Sequence, residues 1–146
     1  MTKTTLIRRA REGDLPEVVR LWAIPDDGNL KDEKPGPTLD PGYLAAFRAI
    51  EHDPNNGLHV AEVDGQVAGA FQLTIIQHVA YRGGRVAQIE NVIVEPGLRS
   101  KGVGAAMMSW AIAEAKADLT HQLAQEHGYP LKCEVEPAPG DHGGDE

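Results

Sequence analysis

The sequence lacks several features that would place it in particular classes of protein. It has one cysteine, Cys133, so no disulfide can form within the chain. No apolar run approaches the roughly 18 residues that predict a membrane-spanning helix, and the stretch from Thr4 to Arg9 is too short and too charged for a secretory signal. A net charge of −8 argues against a nucleic-acid partner, which would favour a basic face. We therefore expect a cytoplasmic protein that binds neither nucleic acid nor membrane.

The composition is that of one globular domain. The chain has 146 residues, which is enough to bury a sizeable core. Residues 1–136 are expected to form the domain. The stretch from Pro137 to Glu146 is rich in Pro, Gly and Asp and has no apolar anchor, so we expect a flexible tail. His142 lies near acidic residues in that tail, but a flexible segment cannot hold a rigid ligand set, and no metal site is expected.

The first part of the chain predicts a strand and two helices. Residues Thr4 to Ala10 are partly β-branched and predict a strand. Apolar residues at helical spacing predict a helix from Asp14 to Trp22, with Asp14 as its N-cap. The stretch from Pro25 to Pro41 is rich in Pro, Gly and Asp and predicts a loop. A second helix is expected from Pro41 to about His52.

The middle of the chain predicts an antiparallel meander of three strands. Leu58 to Val63 and Gln66 to Gln77 are apolar stretches separated by Asp64-Gly65, a strong hairpin signal. A polar loop from His78 to Gly84 separates the second strand from a third, Arg85 to Val94.

A glycine-containing loop then leads into a helix. After the turn at Pro96-Gly97 come Arg99, Lys101, Gly102 and Gly104, followed by good helix formers. The first N–H groups of a helix lack internal partners and carry the positive end of the helix dipole, so this loop predicts an anion site, most naturally for phosphate. The spacing fits neither a P-loop nor a Rossmann motif, whose third glycine would replace Met107.

The pattern Arg99-x-x-Gly102-x-Gly104, placed after a strand that ends in V-x-P, resembles the Q/R-x-x-G-x-G/A motif of the GNAT superfamily of N-acetyltransferases. The resemblance runs from about Leu6 to Ala117 and includes the hairpin segment V-A-E-x-D-G-x-V-A-G. It implies an α/β (α+β) fold with a mixed, mostly antiparallel central sheet flanked by helices. It also implies acetyl-CoA as co-substrate, with the loop around its pyrophosphate and the preceding strand along its pantetheine arm. The residues implied in this binding are Val92, Ile93, Val94, Arg99, Ser100, Lys101, Gly102, Val103, Gly104 and Ala105.

The last third departs from the family pattern, and two interpretations remain open. In one, Thr120 to Tyr129 is the family's fourth helix and the usual fifth strand is deleted. In the other, the long helix continues to a C-cap at Gly128, and Leu131 to Val135 is a displaced fifth strand. Loss of the usual strands would leave a sheet edge that a second copy could cover, which makes a homodimer one expectation.

The resemblance also assigns catalytic roles. In the family an acidic residue on the strand before the loop often acts as general base, and Glu90 interrupts an apolar strand at that place. A backbone N–H between Val92 and Val94 would polarise the thioester carbonyl. The family's acid tyrosine has no secure counterpart; Tyr129 and Tyr43 qualify by residue type, and Tyr129 is the candidate general acid.

These residues lead to two hypotheses of different classes. The first is an acetyl-CoA-dependent N-acetyltransferase that acts on a primary amine of a small molecule or peptide. The alternative is a catalytically impaired GNAT-like module that binds acyl-CoA or regulates a partner through a partner or dimer surface. Turnover that depends on Glu90 would distinguish them, and the sequence does not name the acceptor.

Overall fold

A computed structural model of the protein describes residues 4–24, 33–126 and 132–135, with side chains described as far as residue 117. The strands are β1 (Thr5–Arg9), β2 (Asn56–Val63), β3 (Gln66–Gln77), β4 (Arg85–Val94) and β5 (Lys132–Val135). The helices are α1 (Leu15–Trp22), α2 (Pro41–Glu51), the single turn α3 (Ala80–Gly83) and α4 (Val103–Glu126). The turn α3 is left-handed at Tyr81 and Arg82, whose φ angles are 57° and 58°. Short 3-10 turns precede α1 (Glu12–Asp14) and follow β4 (Pro96–Leu98).

The five strands form one mixed sheet in the order β1-β2-β3-β4-β5. Neighbours from β1 to β4 are antiparallel, and β5 is parallel to β4. The expected mostly antiparallel sheet flanked by helices is confirmed. The β2–β3 hairpin turns through Asp64 and Gly65, whose φ angles of 51° and 79° are the left-handed values that a two-residue turn of this type requires.

Helices cover both faces of the sheet. Residues four apart on α4 (Val103, Met107, Ala111 and Ala115) pack on Phe71, Leu73 and Ile89. On the other face, Val18 and Leu21 of α1 and Phe47 of α2 pack on Val60, Ala70 and Ile93. The apolar stripe predicted for each of these helices is therefore the side that packs on the sheet.

The C-terminal third follows the second of the two interpretations. The helix continues to Glu126, and β5 follows at Lys132–Val135 beside β4. The interpretation with Thr120 to Tyr129 as a separate helix and no fifth strand is wrong, because no Gly or Pro interrupts the helix between Gly104 and Gly128. β5 also occupies part of the edge that a second copy was expected to cover. Gly128, Tyr129 and the expected tail from Pro137 lie outside the described residues.

Asp14 stands at the N-cap position of α1, as predicted, but its side chain does not cap the helix. The Asp14 carboxylate accepts two hydrogen bonds from the Arg8 guanidinium, at 2.7 and 3.0 Å, and one from the Arg11 N–H at 2.7 Å. The helix receives no side-chain cap from it. The hydrogen bonds from Arg8 connect β1 to the start of the helix. They also lower the pKa of Asp14.

His59 is buried on the α4 face in an aromatic cluster. Its ring stacks on Phe71 with centroids 5.1 Å apart and lies 4.8 Å from the ring of Trp110. The ring of Trp110 reaches this cluster from α4 and also lies 6.0 Å from the ring of Phe71. Desolvation, with a smaller contribution from the Arg9 charge, lowers the pKa of His59 to about 4.

The burial of His59 predicts a loss of stability in acid. Between pH 6.5 and about 4 the unfolded chain binds a proton that the folded protein does not, so stability falls as the pH drops through this window. We expect His59 to account for about 2–3 kcal/mol of the difference in unfolding free energy between pH 7 and pH 4. Urea unfolding across this range would measure it. His59→Phe should flatten the dependence, whereas His52→Gln at an exposed position should not; equal slopes in both variants would contradict the assignment.

Candidate active site

The candidate site begins where β5 and β4 part. β5 pairs with β4 only between Val86 and Ile89, whereas β4 continues to Val94. Beyond Ile89, the described residues place no strand on this side of β4. The backbone from Glu90 to Val94 therefore has an open edge whose N–H and C=O groups can pair with an extended ligand.

A β-bulge shapes this half of β4. Gln72 pairs with Glu90 and Ala70 with Ile93, so Asn91 and Val92 both stand opposite Phe71. Asn91 takes the left-handed φ of 55° that accommodates the extra residue. The bulge carbonyl accepts a hydrogen bond at 3.0 Å from Nε1 of Trp22, the last residue of α1. The first helix thus holds the distorted strand in place.

The loop after β4 ends in an anion-binding helix start. Ser100 and Gly102 have φ angles of 65° and 86°, and α4 begins at the next residue. The first helical hydrogen bond runs from Ala106 N to Gly102 O at 2.9 Å, so the N–H groups of Val103, Gly104 and Ala105 precede it and have no acceptor within the helix. Space is open around Gly102, because a Cβ built there would meet no atom within 4 Å.

Two cations flank this helix start. Arg99 and Lys101 are exposed, and Arg99 Nε donates to the carbonyl of Val94 at 3.3 Å. Together with the helix dipole they make the loop positive, although the chain as a whole carries a net charge of −8.

A salt bridge ties α1 to the end of β4. Arg20 donates to both carboxylate oxygens of Glu95, at 2.7 and 3.4 Å. The hydrogen bond with Glu95 raises the pKa of Arg20 above its usual value. Arg20 therefore neutralises a carboxylate that stands next to the positive loop.

Glu90 lies on the α1/α2 face of the sheet. Its Cα partner is Gln72, which lies two residues along β3 from the buried Ala70. The side chain is half-buried, and its Oε1 accepts a hydrogen bond from the Gln88 amide. The strand thus presents a carboxylate on the sheet face that α1 covers, beside the open edge of β4.

Glu90 is part of a set of polar side chains that we call the polar grid: Asn56, Gln72, Thr74, Gln88 and Glu90. Cross-strand pairing places Gln72 opposite Glu90 and places Thr74 opposite both Asn56 and Gln88. The grid was not predicted, although its sequence signature is visible: each of β3 and β4 carries two polar residues spaced two apart.

A second polar feature lies at the start of α2. An open cleft of about 380 Å³ is lined by Lys34, Asp40, Gly42 and Tyr43. The Tyr43 hydroxyl donates to Glu33 at 2.5 Å, and desolvation together with Glu33 raises the pKa of Tyr43.

The structure brings most of the predicted site residues together. The stretch from Glu90 to Ala105 forms one continuous segment along the open edge and the helix start. Ile93 is an exception, because its side chain is buried against α1 and α2 and only its backbone reaches the edge. Tyr129 lies outside the described residues. Within those residues, no helix is long and apolar enough to cross a membrane, and no group of three His, Cys, Asp or Glu side chains could hold a metal.

Comparison with known proteins identifies the family. A model of the acetyltransferase (GNAT) family matches residues 17–127. The solved structure of a transcriptional regulator from Bacillus halodurans is 31% identical, with a TM-score of 0.77 over 92% of this chain and 82% of that one. Glucosamine-6-phosphate N-acetyltransferase from Arabidopsis thaliana is 17% identical, with a TM-score of 0.66 over 92% and 82%. A predicted acetyltransferase with acetyl-CoA from Clostridium acetobutylicum is 19% identical, with a TM-score of 0.66 over 94% and 84%. A sequence search of curated proteins finds no match.

The hydrogen bond from Trp22 should stabilise the bulge. Trp22→Phe keeps an apolar ring but removes the donor to the Asn91 carbonyl, so we expect the unfolding free energy to fall by about 1 kcal/mol. Amide hydrogen exchange at Asn91 and Val92, followed by NMR, should accelerate more than elsewhere in β4. Trp110→Phe alters packing on the opposite face and serves as control. The same exchange pattern in both variants would show that Trp22 does not act on the bulge.

Proposed function

The chain belongs to the GNAT family of acetyltransferases, and we propose that it transfers the acetyl group of acetyl-CoA to a primary amine of a small molecule or peptide. Acetyl-CoA is the co-substrate of the family. The observation that carries the proposal is the juxtaposition of two features: the open edge of β4 and the positive helix start at Val103. An extended arm and a pyrophosphate group need these two surfaces side by side.

The residues of the loop fit the pyrophosphate of acetyl-CoA. The N–H groups of Val103, Gly104 and Ala105 point out of the first turn of α4, and Arg99 and Lys101 add charge-assisted donors. The left-handed backbone at Ser100 and Gly102 turns the loop around the space in which the phosphates would sit.

The open edge of β4 fits the pantetheine arm. The backbone of Val92, Ile93 and Val94 would pair with the amides of that arm, as a neighbouring strand would. One of these N–H groups would also polarise the thioester carbonyl. The chemistry that acetyl-CoA supplies is an activated acetyl carbon, whose bond to sulfur breaks as the bond to the amine nitrogen forms.

Glu90 is the proposed general base. The attacking amine must lose a proton, and the half-buried carboxylate lies on the α1/α2 face beside the edge where the thioester would lie. The hydrogen bond from Gln88 fixes one carboxylate oxygen and leaves the other to receive the proton. The departing CoA thiolate needs a proton in turn, and Tyr129 remains the candidate donor. Tyr43 is a weaker candidate because its hydroxyl already donates to Glu33.

A regulatory module is the second candidate function. The relative from Bacillus halodurans that shares 31% identity is described as a transcriptional regulator. A module of this kind would bind acyl-CoA without turnover and act through a partner surface. The homodimer and the cytoplasmic location expected from the sequence also remain predictions.

Gly102 should be required for binding of acetyl-CoA. Its φ of 86° is strained for a β-branched residue, so Gly102→Val should distort the loop and weaken binding at least about tenfold. Calorimetric titration of acetyl-CoA would measure this. Gly97→Val introduces the same side chain where space is also open and φ is not left-handed, and it should retain binding. Thermal unfolding of both variants would show that they fold; folded Gly102→Val with native affinity would rule out this loop as the cradle.

Glu90 should be required for turnover and not for binding. Glu90→Gln is isosteric but cannot take a proton, so we expect acetyl-CoA-dependent turnover to fall by about 100-fold or more. CoA release in an amine screen would measure turnover, and calorimetry should give an unchanged Kd for acetyl-CoA. Glu114→Gln, at an exposed position on α4, is the matched control. Native turnover in Glu90→Gln would contradict the base assignment, and binding without any turnover in the unaltered protein would favour the regulatory module.

A further inference from the structure

The polar grid stands out because the row beside it on the same sheet face is apolar. Val60, Ala70 and Ile93 form that row across β2, β3 and β4, and they are buried under α1 and α2. Further along this face, Leu58 of β2 stays apolar and buried, whereas the side chains beside and beyond it become amides, a hydroxyl and a carboxylate. All five are partly exposed, so the helices leave the grid accessible from solvent.

The hydrogen bonds within the grid leave specific groups available. Asn56 Oδ1 accepts from both Gln72 Nε2 at 3.0 Å and Thr74 Oγ1 at 3.3 Å. Gln88 Nε2 donates to Glu90 Oε1. Among the described residues these bonds use neither the carbonyl oxygens of Gln72 and Gln88 nor the amide group of Asn56. The grid therefore offers two neutral acceptors and a donor beside one carboxylate.

These groups discriminate between classes of amine. An alkylamine bound on the grid would displace water from the amide groups without replacing the hydrogen bonds that the water made. Each amide group left without a partner would weaken binding. A hydroxylated amine would donate to the carbonyl oxygens and accept from the Asn56 amide. The grid contains one carboxylate, Glu90, so it provides for one ammonium group and does not provide for a polyamine.

We propose that the acceptor is a hydroxylated primary amine, of the aminopolyol or amino-sugar class, with its amine at Glu90 and its hydroxyl groups on Gln72, Thr74 and Gln88. This inference rests on the proposed acetyl transfer and names the substrate class of that same site. Thr74 and Gln72 are then specificity residues, because they contact the hydroxyl groups and not the reacting nitrogen.

The test compares two six-carbon primary amines that differ only in their hydroxyl groups, glucamine and hexylamine. CoA release from acetyl-CoA gives kcat/KM for each amine, corrected for the neutral fraction at the assay pH. We expect a preference for glucamine of about tenfold or more, because a site built for hydroxyl groups rejects analogues that lack them. An equal or reversed preference would overturn the inference while acetyl transfer itself stands.

Variants locate the preference in the grid. Thr74→Val preserves the shape of the side chain and removes the hydroxyl, and Gln72→Met removes the amide at similar length. Each should reduce the ratio of the two kcat/KM values by about threefold to tenfold. Thr5→Val on the distant strand β1 is the matched control and should keep the ratio. An unchanged ratio in both grid variants would overturn the assignment.

A binding measurement separates the inference from the transfer reaction. Titration of glucamine into the protein should shift the side-chain amide resonances of Gln72 and Gln88 in NMR spectra, whereas hexylamine should not. Shifts with glucamine but no CoA release from any amine would support the acceptor class and count against acetyl transfer. A different outcome would overturn the proposed acceptor class: glucamine causes no shifts and is not preferred, yet the acetyl group is transferred to hexylamine, a polyamine or a peptide amine. That outcome would still support the proposed acetyl transfer.

Discussion

The extra residue in β4 opposite Phe71 is the constraint on which the site depends. Before it, Ile89 packs on the α4 face; after it, Val92 and Val94 contact the α4 core and Ile93 is buried on the α1/α2 face. Strict alternation from Ile89 would have sent Ile93 to the α4 face and left Val92 and Val94 on the other. The bulge at Asn91 therefore lets β4 keep Glu90 on the face of α1 while Val92, Ile93 and Val94 still pack into the two cores. Trp22 fixes the bulge carbonyl from α1, which couples the position of this helix to the geometry of the strand edge.

Local charge, and not net charge, decides what the loop after β4 can bind. The chain carries an excess of acidic residues. At the start of α4, however, the N–H groups of Val103, Gly104 and Ala105 have no acceptor within the helix, and Arg99 lies just before them. Glu95 would oppose an anion there, but Arg20 occupies its carboxylate from α1. Because dissolved ions screen exposed charges from one another beyond about 8 Å at physiological salt, the distant acidic residues affect the loop less than this one pair does. Helix α1 thus contacts the bulge through Trp22 and the residue before the loop, Glu95, through Arg20.

What the sequence predicts well is local, and what it misses depends on contacts distant in the chain. The bounds of β3 and β4 are confirmed, because turn-forming residues at both ends of each strand enclose an apolar run. The bulge cannot be predicted from the sequence of Ile89 to Val94, because it depends on how this run pairs with β3. The aromatic cluster of His59, Phe71 and Trp110 is not predicted either, because helical periodicity counts residues and ignores the reach of a large ring. Asp14 has the residue type of an N-cap, but Arg8 from the neighbouring strand competes for its carboxylate, and a charged donor wins over a neutral N–H.

The polar grid is better explained by recognition than by folding. A sheet face gains stability when it is apolar and covered, as the neighbouring row of Val60, Ala70 and Ile93 shows, whereas half-buried amides contribute little and must be kept hydrated or paired. Asn56 already satisfies the donors of Gln72 and Thr74, so these side chains are held in fixed orientations with their remaining acceptors free. Preorganised groups of this kind lose little entropy when a ligand binds. The grid lies on the same sheet face as Glu90. An amine bound at Glu90, as we propose, would therefore also lie across the grid, and the grid would then select among amines.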